Sequence, residues 1–95
     1  TARTNDLECW KLFCLVVEKQ GLNAAADFAD IEPSRLSRVI NSLEAELGNP
    51  LLVHNRRPLQ TTSFGDQAYA MAKALLAQHA LMLETLKGDK DRMEV

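Results

Sequence analysis

The stretch Ile31-Glu32-Pro33-Ser34-Arg35-Leu36-Ser37-Arg38-Val39-Ile40-Asn41-Ser42-Leu43-Glu44-Ala45-Glu46-Leu47-Gly48 decides how the rest of this 95-residue chain is read. Leu36, Ile40, Leu43 and Leu47 recur at the four- and three-residue spacing of one helical face. Pro33 suits a first helical position, where the amide it lacks would have no partner, and Gly48 suits the stop. The spacing therefore predicts a helix over 33–47. Its other side carries Ser34, Arg35, Ser37, Arg38 and Asn41 in the first half, while the acids Glu44 and Glu46 are held back to the far end. A solvated helix face ordinarily mixes Glu with Lys, but the cations of this front are all Arg. These are the side-chain types that meet base edges and phosphates: Arg to guanine, Asn to adenine, Ser to either.

Upstream, Leu7, Trp10, Phe13, Cys14 and Val17 keep helical spacing between Asp6, a good N-cap, and Gly21, a good stop. Asn23 can cap a short helix over 24–29 whose Ala25, Ala26 and Ala29 allow close packing, and Asp30-Ile31-Glu32 is then a turn. A short helix, a three-residue turn and a longer helix with a polar front make a helix-turn-helix. Downstream, Leu51-Leu52-Val53 and Leu59-Gln60-Thr61 are extended candidates around His54-Asn55-Arg56-Arg57-Pro58, which predicts a two-stranded wing with a basic tip. Arg56 and Arg57 alone would be a solubilising turn. Beside a recognition-helix candidate they are placed to reach adjacent phosphates or the minor groove.

Thr62 or Ser63 can cap the last helix, with Asp66 in its first turn. From there Ala68, Ala72, Leu75, His79, Met82 and Leu86 alternate spacings of four and three, the seam of a coiled coil rather than a face lying on its own domain. Such a seam wants a second copy. His79 is read there as a polar residue that helps set register rather than as a pH switch. Trp10 and Phe13 are read as core, and Met71 and Met82 as gap fillers. The expected fold is mainly α: a winged helix-turn-helix over 1–62, a linker helix for dimerisation over 63–87, and a charged tail over 88–95.

The formal net charge is −2, which taken alone argues against a nucleic-acid binder, but its distribution says more. Residues 1–32 sum to −3 and 61–95 to −1, whereas 33–60 sum to +2 with every cation an Arg. Cys9 and Cys14, about 140° apart round one helix and ~7.5 Å along it, cannot bridge each other and read as buried small hydrophobes of a reducing compartment. Neither metal-ligand spacing nor a glycine-rich phosphate loop, nucleophile elbow or paired carboxylate can be drawn, so neither cofactor, metal nor enzyme is expected. The longest apolar run, Leu12 to Val17, is far too short for a bilayer, and no secretory leader is read, giving a soluble cytoplasmic expectation.

With Ala25-Ala26, Ser34, Leu36-Ser37-Arg38, Ile40, Leu43-Glu44, Leu47-Gly48, Leu51-Leu52, Arg57, Thr62 and Gly65 at these spacings, the chain resembles the N-terminal DNA-binding domain of LysR-type transcriptional regulators over roughly Asp6 to Leu86. The resemblance implies sequence-specific binding of double-stranded operator DNA with helix 33–47 in the major groove. It implies a homodimer paired through the linker helix, and room for tetramers in the full-length protein. A small-molecule effector would be met only by a C-terminal domain absent from these residues. Three positions depart from the family: Glu32 stands where a short hydroxyl residue is usual, Gly21-Leu22-Asn23 is one residue short, and His54 replaces an Arg. The rival reading, suited by the acidic net charge, is a winged-helix protein-interaction domain that pairs through its long helix without specific DNA binding.

Overall fold

The computed structural model describes residues 6–53 and 58–92. The elements are α1 (Leu7–Lys19), α2 (Leu22–Ala29), α3 (Pro33–Leu47), β1 (Leu52–Val53), β2 (Gln60–Thr61) and α4 (Ser63–Arg92). They form the expected winged helix-turn-helix followed by a long helix.

Asp6 caps α1 as expected, its carboxylate accepting from the Glu8 amide at 2.9 Å. The stop differs from expectation. Gln20, not Gly21, takes the left-handed conformation, at φ 57°, while its own amide and that of Gly21 reach back to the carbonyls of Val16 and Val17. Gly21 is thereby free to start the next helix: its carbonyl accepts from Ala25 at 3.2 Å, so α2 opens at Leu22 and Asn23 is no cap. Half-buried Leu22 packs on the core, which the later start would have forfeited. Asp30, left-handed at φ 59°, closes α2, and the Ile31 amide returns to the Ala26 carbonyl to make the tight turn. The third helix has the predicted bounds, with Pro33 first and Gly48 at φ +77° after Leu47.

The core is the meeting of these three helices with the wing base. Phe13, Val16, Ala25, Ala26, Leu36, Ile40, Leu43, Leu51 and Leu52 are buried in it, and Cys9 and Cys14 are both buried and unbridged. Trp10 sits at its margin, half-buried, edge-on to Phe13 with ring centroids 5.9 Å apart. The wing is fastened from both sides. On one, the Glu44 carboxylate accepts from the amides of Leu51 at 2.7 Å and Leu52 at 3.2 Å. On the other, Thr62 donates its hydroxyl to the Pro50 carbonyl at 2.7 Å and its amide to the Leu51 carbonyl at 3.1 Å. The same hydroxyl oxygen accepts from the Gly65 amide and so caps α4, as the sequence suggested. The strands pair antiparallel, Leu52 opposite Thr61 and Val53 opposite Gln60.

Two expectations about α4 need correction. The helix does not end near Gly88 but runs on to Arg92, because a lone glycine costs a helix only about 1 kcal/mol. The seam is also divided: Ala72 is 5% exposed and belongs to this domain's own core, with half-buried Ala68 packed beside it. Only beyond them do Leu75, Met82 and Leu86 stand about half exposed. Met71 and Met82 fill no gap within the chain, being 66% and 46% exposed.

Gly65 is where wing and long helix approach most closely, since a Cβ there would lie 2.0 Å from the Leu51 carbonyl oxygen. That neighbour is backbone and is held by Thr62, so it cannot step aside. Gly65→Ala is expected to destabilise the domain by about 3 kcal/mol as an overpacking change, visible as a thermal midpoint lowered by roughly 10 °C or more. Gly88→Ala, with nothing within 4 Å of its new Cβ, should leave the midpoint unchanged or raise it. Melts of both variants followed by circular dichroism make the comparison.

Candidate nucleic-acid interface

Leu36, Ile40 and Leu43 pin one side of α3 into the core, which turns Ser34, Arg35, Arg38 and Asn41 outward. All four are exposed, and Ser37 is half-buried at the edge. At 100° per residue Ser34, Arg38, Asn41 and Ala45 fall within about 60° of one another and form the outermost ridge, with Arg35 about 90° to one side and Ser37 about 70° to the other. Ala45 is the member of this ridge that residue chemistry alone passes over. Its 34/38/41/45 spacing is the available signal, and as a small residue it lets the backbone come close to whatever the ridge meets.

Among the described residues neither Arg35 nor Arg38 is held in an ion pair. Both guanidiniums nevertheless stand in acidic company. One cleft beside them is lined by Asp27 of α2 and by Asp30 and Glu32 from the turn that follows it, and another by Asp6 and Glu8 from the start of α1. Glu32 occupies the N-cap of α3 in extended conformation, yet its carboxylate makes no capping hydrogen bond. His54, Arg56 and Arg57 lie outside the described residues. Of the expected seam, Ala68 and Ala72 are taken up by the core, while Leu75, His79, Met82 and Leu86 continue along α4.

Burial, and then the nearby Glu18 charge, push the Cys14 thiol up to about 11 against the opposing pull of Lys73, so at neutral pH it is a poor nucleophile. Among the described residues no three His, Cys, Asp or Glu side chains gather to hold a metal ion, and no helix is long and apolar enough to cross a membrane.

The family model of bacterial regulatory helix-turn-helix proteins of the lysR family matches residues 7–66, from the first turn of α1 through the wing to the cap of α4. This chain belongs to the LysR family. The transcriptional activator IlvY of Salmonella typhimurium is 33% identical over 81 residues, 85% of this chain and 28% of that protein. The regulator BenM of Acinetobacter baylyi is 39% identical over 82 residues, 86% of this chain and 27% of that protein. The LysR-family chain thus spans little more than a quarter of these relatives. Among solved structures, the BenM DNA-binding domain in complex with catB site 1 DNA superimposes with a TM-score of 0.85 over 86% of this chain and 88% of that one. Full-length BenM does so with 0.83, covered to 27%.

The empty cap of α3 is open to a direct test. The Arg35 amide already donates to the Glu32 carbonyl at 3.0 Å, so Glu32→Ser should let the new hydroxyl accept from the Ser34 amide and stabilise the domain by about 1 kcal/mol, read as a higher urea midpoint with an unchanged slope. No gain would mean that the serine hydroxyl does not cap α3 at this position.

Proposed function

We propose that these residues are the DNA-binding module of a bacterial LysR-type transcriptional regulator, binding double-stranded operator DNA in a sequence-specific way and carrying out no chemistry of their own. The observation that supports this most is the exposed polar ridge of α3, presented by a fold that matches the BenM domain solved on DNA at 39% identity. In this reading α3 lies in the major groove, Ser34, Arg38 and Asn41 face bases, and Arg35 and Ser37 flank them toward phosphate or base edge. Arg56 and Arg57 hold the neighbouring backbone or minor groove. The module works in the cytoplasm, where the operator is, and any small-molecule effector acts on the regulator outside residues 1–95.

Binding titrations against a selected duplex and its single-base variants, at two salt concentrations, test the assignment. Arg38→Ala should cost about 1–3 kcal/mol on the best duplex and much less where the contacted base pair is changed. Arg57→Ala should weaken all duplexes alike and make the salt dependence shallower by about one unit of slope for each phosphate left without its arginine. Equal losses on every duplex for Arg38→Ala would make it a phosphate clamp and pass the reading to Ser34 and Asn41. Salt-independent binding, or none, would favour the protein-interaction alternative, which the exposed apolar stretch of α4 suits.

The same stretch supports a homodimer. Leu75, Met82 and Leu86 are each 46–56% exposed on one face of the outer half of α4, and a second copy of this helix would cover them. Leu75→Asp should yield monomers by sedimentation and weaken DNA binding, because the second half-site is no longer met by a tethered unit.

A further inference from the structure

The long helix rests on the domain by a narrow apolar footing. Ala68 and Ala72, both too small to interlock deeply, lie along its centre line with Phe64 and Leu76 to either side. Clefts of about 440 and 360 Å³ open on its two flanks, the first beside Trp10, Leu47 and Met71, the second beside Cys14, Ala29 and Leu76. Packing of that kind resists separation of the helices more than it resists their tilting. At the edge of the second cleft stands a polar tie: Glu18 near the end of α1 accepts from the Tyr69 hydroxyl at 2.8 Å and pairs with the Lys73 ammonium at 2.9 Å, both on the same carboxylate oxygen. Tyr69 and Lys73 are one turn apart on α4, so a single oxygen grips two successive turns of the helix. The two donors, Lys73 more than Tyr69, hold the Glu18 carboxyl below its ordinary range.

We propose that Glu18, Tyr69 and Lys73 form a clasp that sets the angle at which α4 leaves the DNA-binding unit, and thereby determines which spacing between operator half-sites a dimer accepts. The inference rests on the dimeric DNA-binding reading above. Leverage gives a surface clasp its effect. Beyond the footing at Ala72, twenty helical residues extend about 30 Å to Arg92, so a tilt of about 8° there moves the far end by about 4 Å. That exceeds the roughly 3.4 Å rise of one base-pair step. Both units of a dimer carry the clasp, so its geometry enters twice. These three are positioning residues: none lies on the α3 ridge, and each acts through where α4 points.

The test is made on the intact chain with the selected half-site as probe. Wild type, Glu18→Gln, Tyr69→Phe and Lys73→Met are titrated against duplexes holding one half-site, and against duplexes holding two at spacings stepped by one base pair. Wild type should prefer one spacing over its neighbours by about tenfold, and the clasp variants by about threefold or less, because a mis-set spacing is met by deforming DNA or protein. Single-half-site affinity should stay within about twofold for every variant. Lys73→Arg, which keeps the ion pair, should retain the wild-type preference. An unchanged spacing preference in the three clasp variants overturns the proposal.

A second readout needs no DNA. Spin labels on cysteines placed at the exposed positions Ala24 and Lys87, in chains diluted into unlabelled protein, report the distance from α2 to the outer part of α4. Cys9 and Cys14, buried and with the Cys14 thiol pushed up to about 11, stay unlabelled. Wild type should give one narrow distance and the clasp variants a shifted or broadened one. A distance unchanged in both position and width overturns the clasp. A chain that binds no duplex overturns the spacing role together with the DNA reading, and the label distances distinguish that failure from failure of the clasp.

Discussion

The grip of Glu44 on the amides of Leu51 and Leu52 is the contact through which the rest of the domain is arranged. Glu44 stands in the last turns of α3, so the helix that carries the polar ridge also anchors the chain as it turns into the wing. Hydrogen bonds to a charged acceptor contribute about 1.5–3 kcal/mol each, and two on one oxygen fix both the height and the direction of β1 relative to α3. The Leu51 carbonyl, on the opposite side of the same residue, receives the Thr62 amide and lies against the missing side chain of Gly65. One buried leucine thus joins α3, wing and long helix. A shift of Leu51 would move all three together, which keeps the wing in register with the α3 ridge although the strands themselves are two residues each.

Charge is distributed as tightly as the backbone. A domain of net charge −2 attracts phosphate weakly as a whole, and five carboxylates, Asp6, Glu8, Asp27, Asp30 and Glu32, line the clefts beside the two arginines of α3. Non-specific affinity for duplex DNA comes from cations near phosphate. Specific affinity adds base contacts that only the right sequence supplies. Under the DNA reading proposed above, surrounding the arginines with acids subtracts from both alike, so that a larger share of the binding that remains comes from the base contacts. The unfilled cap fits the same pattern: Glu32 contributes no hydrogen bond to α3, and its charge remains at the rim of the cleft that holds Arg35 and Arg38.

Legibility in the sequence follows the range of the interaction responsible. The bounds of α3 are readable because Pro33, Gly48 and the Leu36-Ile40-Leu43-Leu47 spacing all act within the helix itself. The cap of α4 by Thr62 and the burial of both cysteines are local in the same sense. The start of α2 departs from expectation because the left-handed turn falls on Gln20, a residue with no preference for it, which releases Gly21 to serve as the next cap. Glu44 is among the residues that carry the resemblance, but its partners are not legible there, since the amides it binds are seven and eight residues away and depend on how Pro50 directs the chain. The Glu18–Tyr69 bond spans 51 residues. No periodicity within either helix announces it.

The divided seam of α4 shows why a repeat alone could not say what covers it. Ala68 and Ala72 fit a heptad as well as Leu75, Met82 and Leu86 do, but small residues also suit a helix laid closely on its neighbours, and here that demand takes them. A larger side chain at position 72 would lift α4 from the core. A bulky residue is tolerated in the seam only beyond that footing, where the exposed leucines begin. Under the dimer reading proposed above, the partner's contact therefore starts near Leu75, at the mouth of the cleft shared with Trp10 and Leu47. The length of helix available for pairing and the angle at which it is presented are then both set by how the first turns of α4 seat on their own domain.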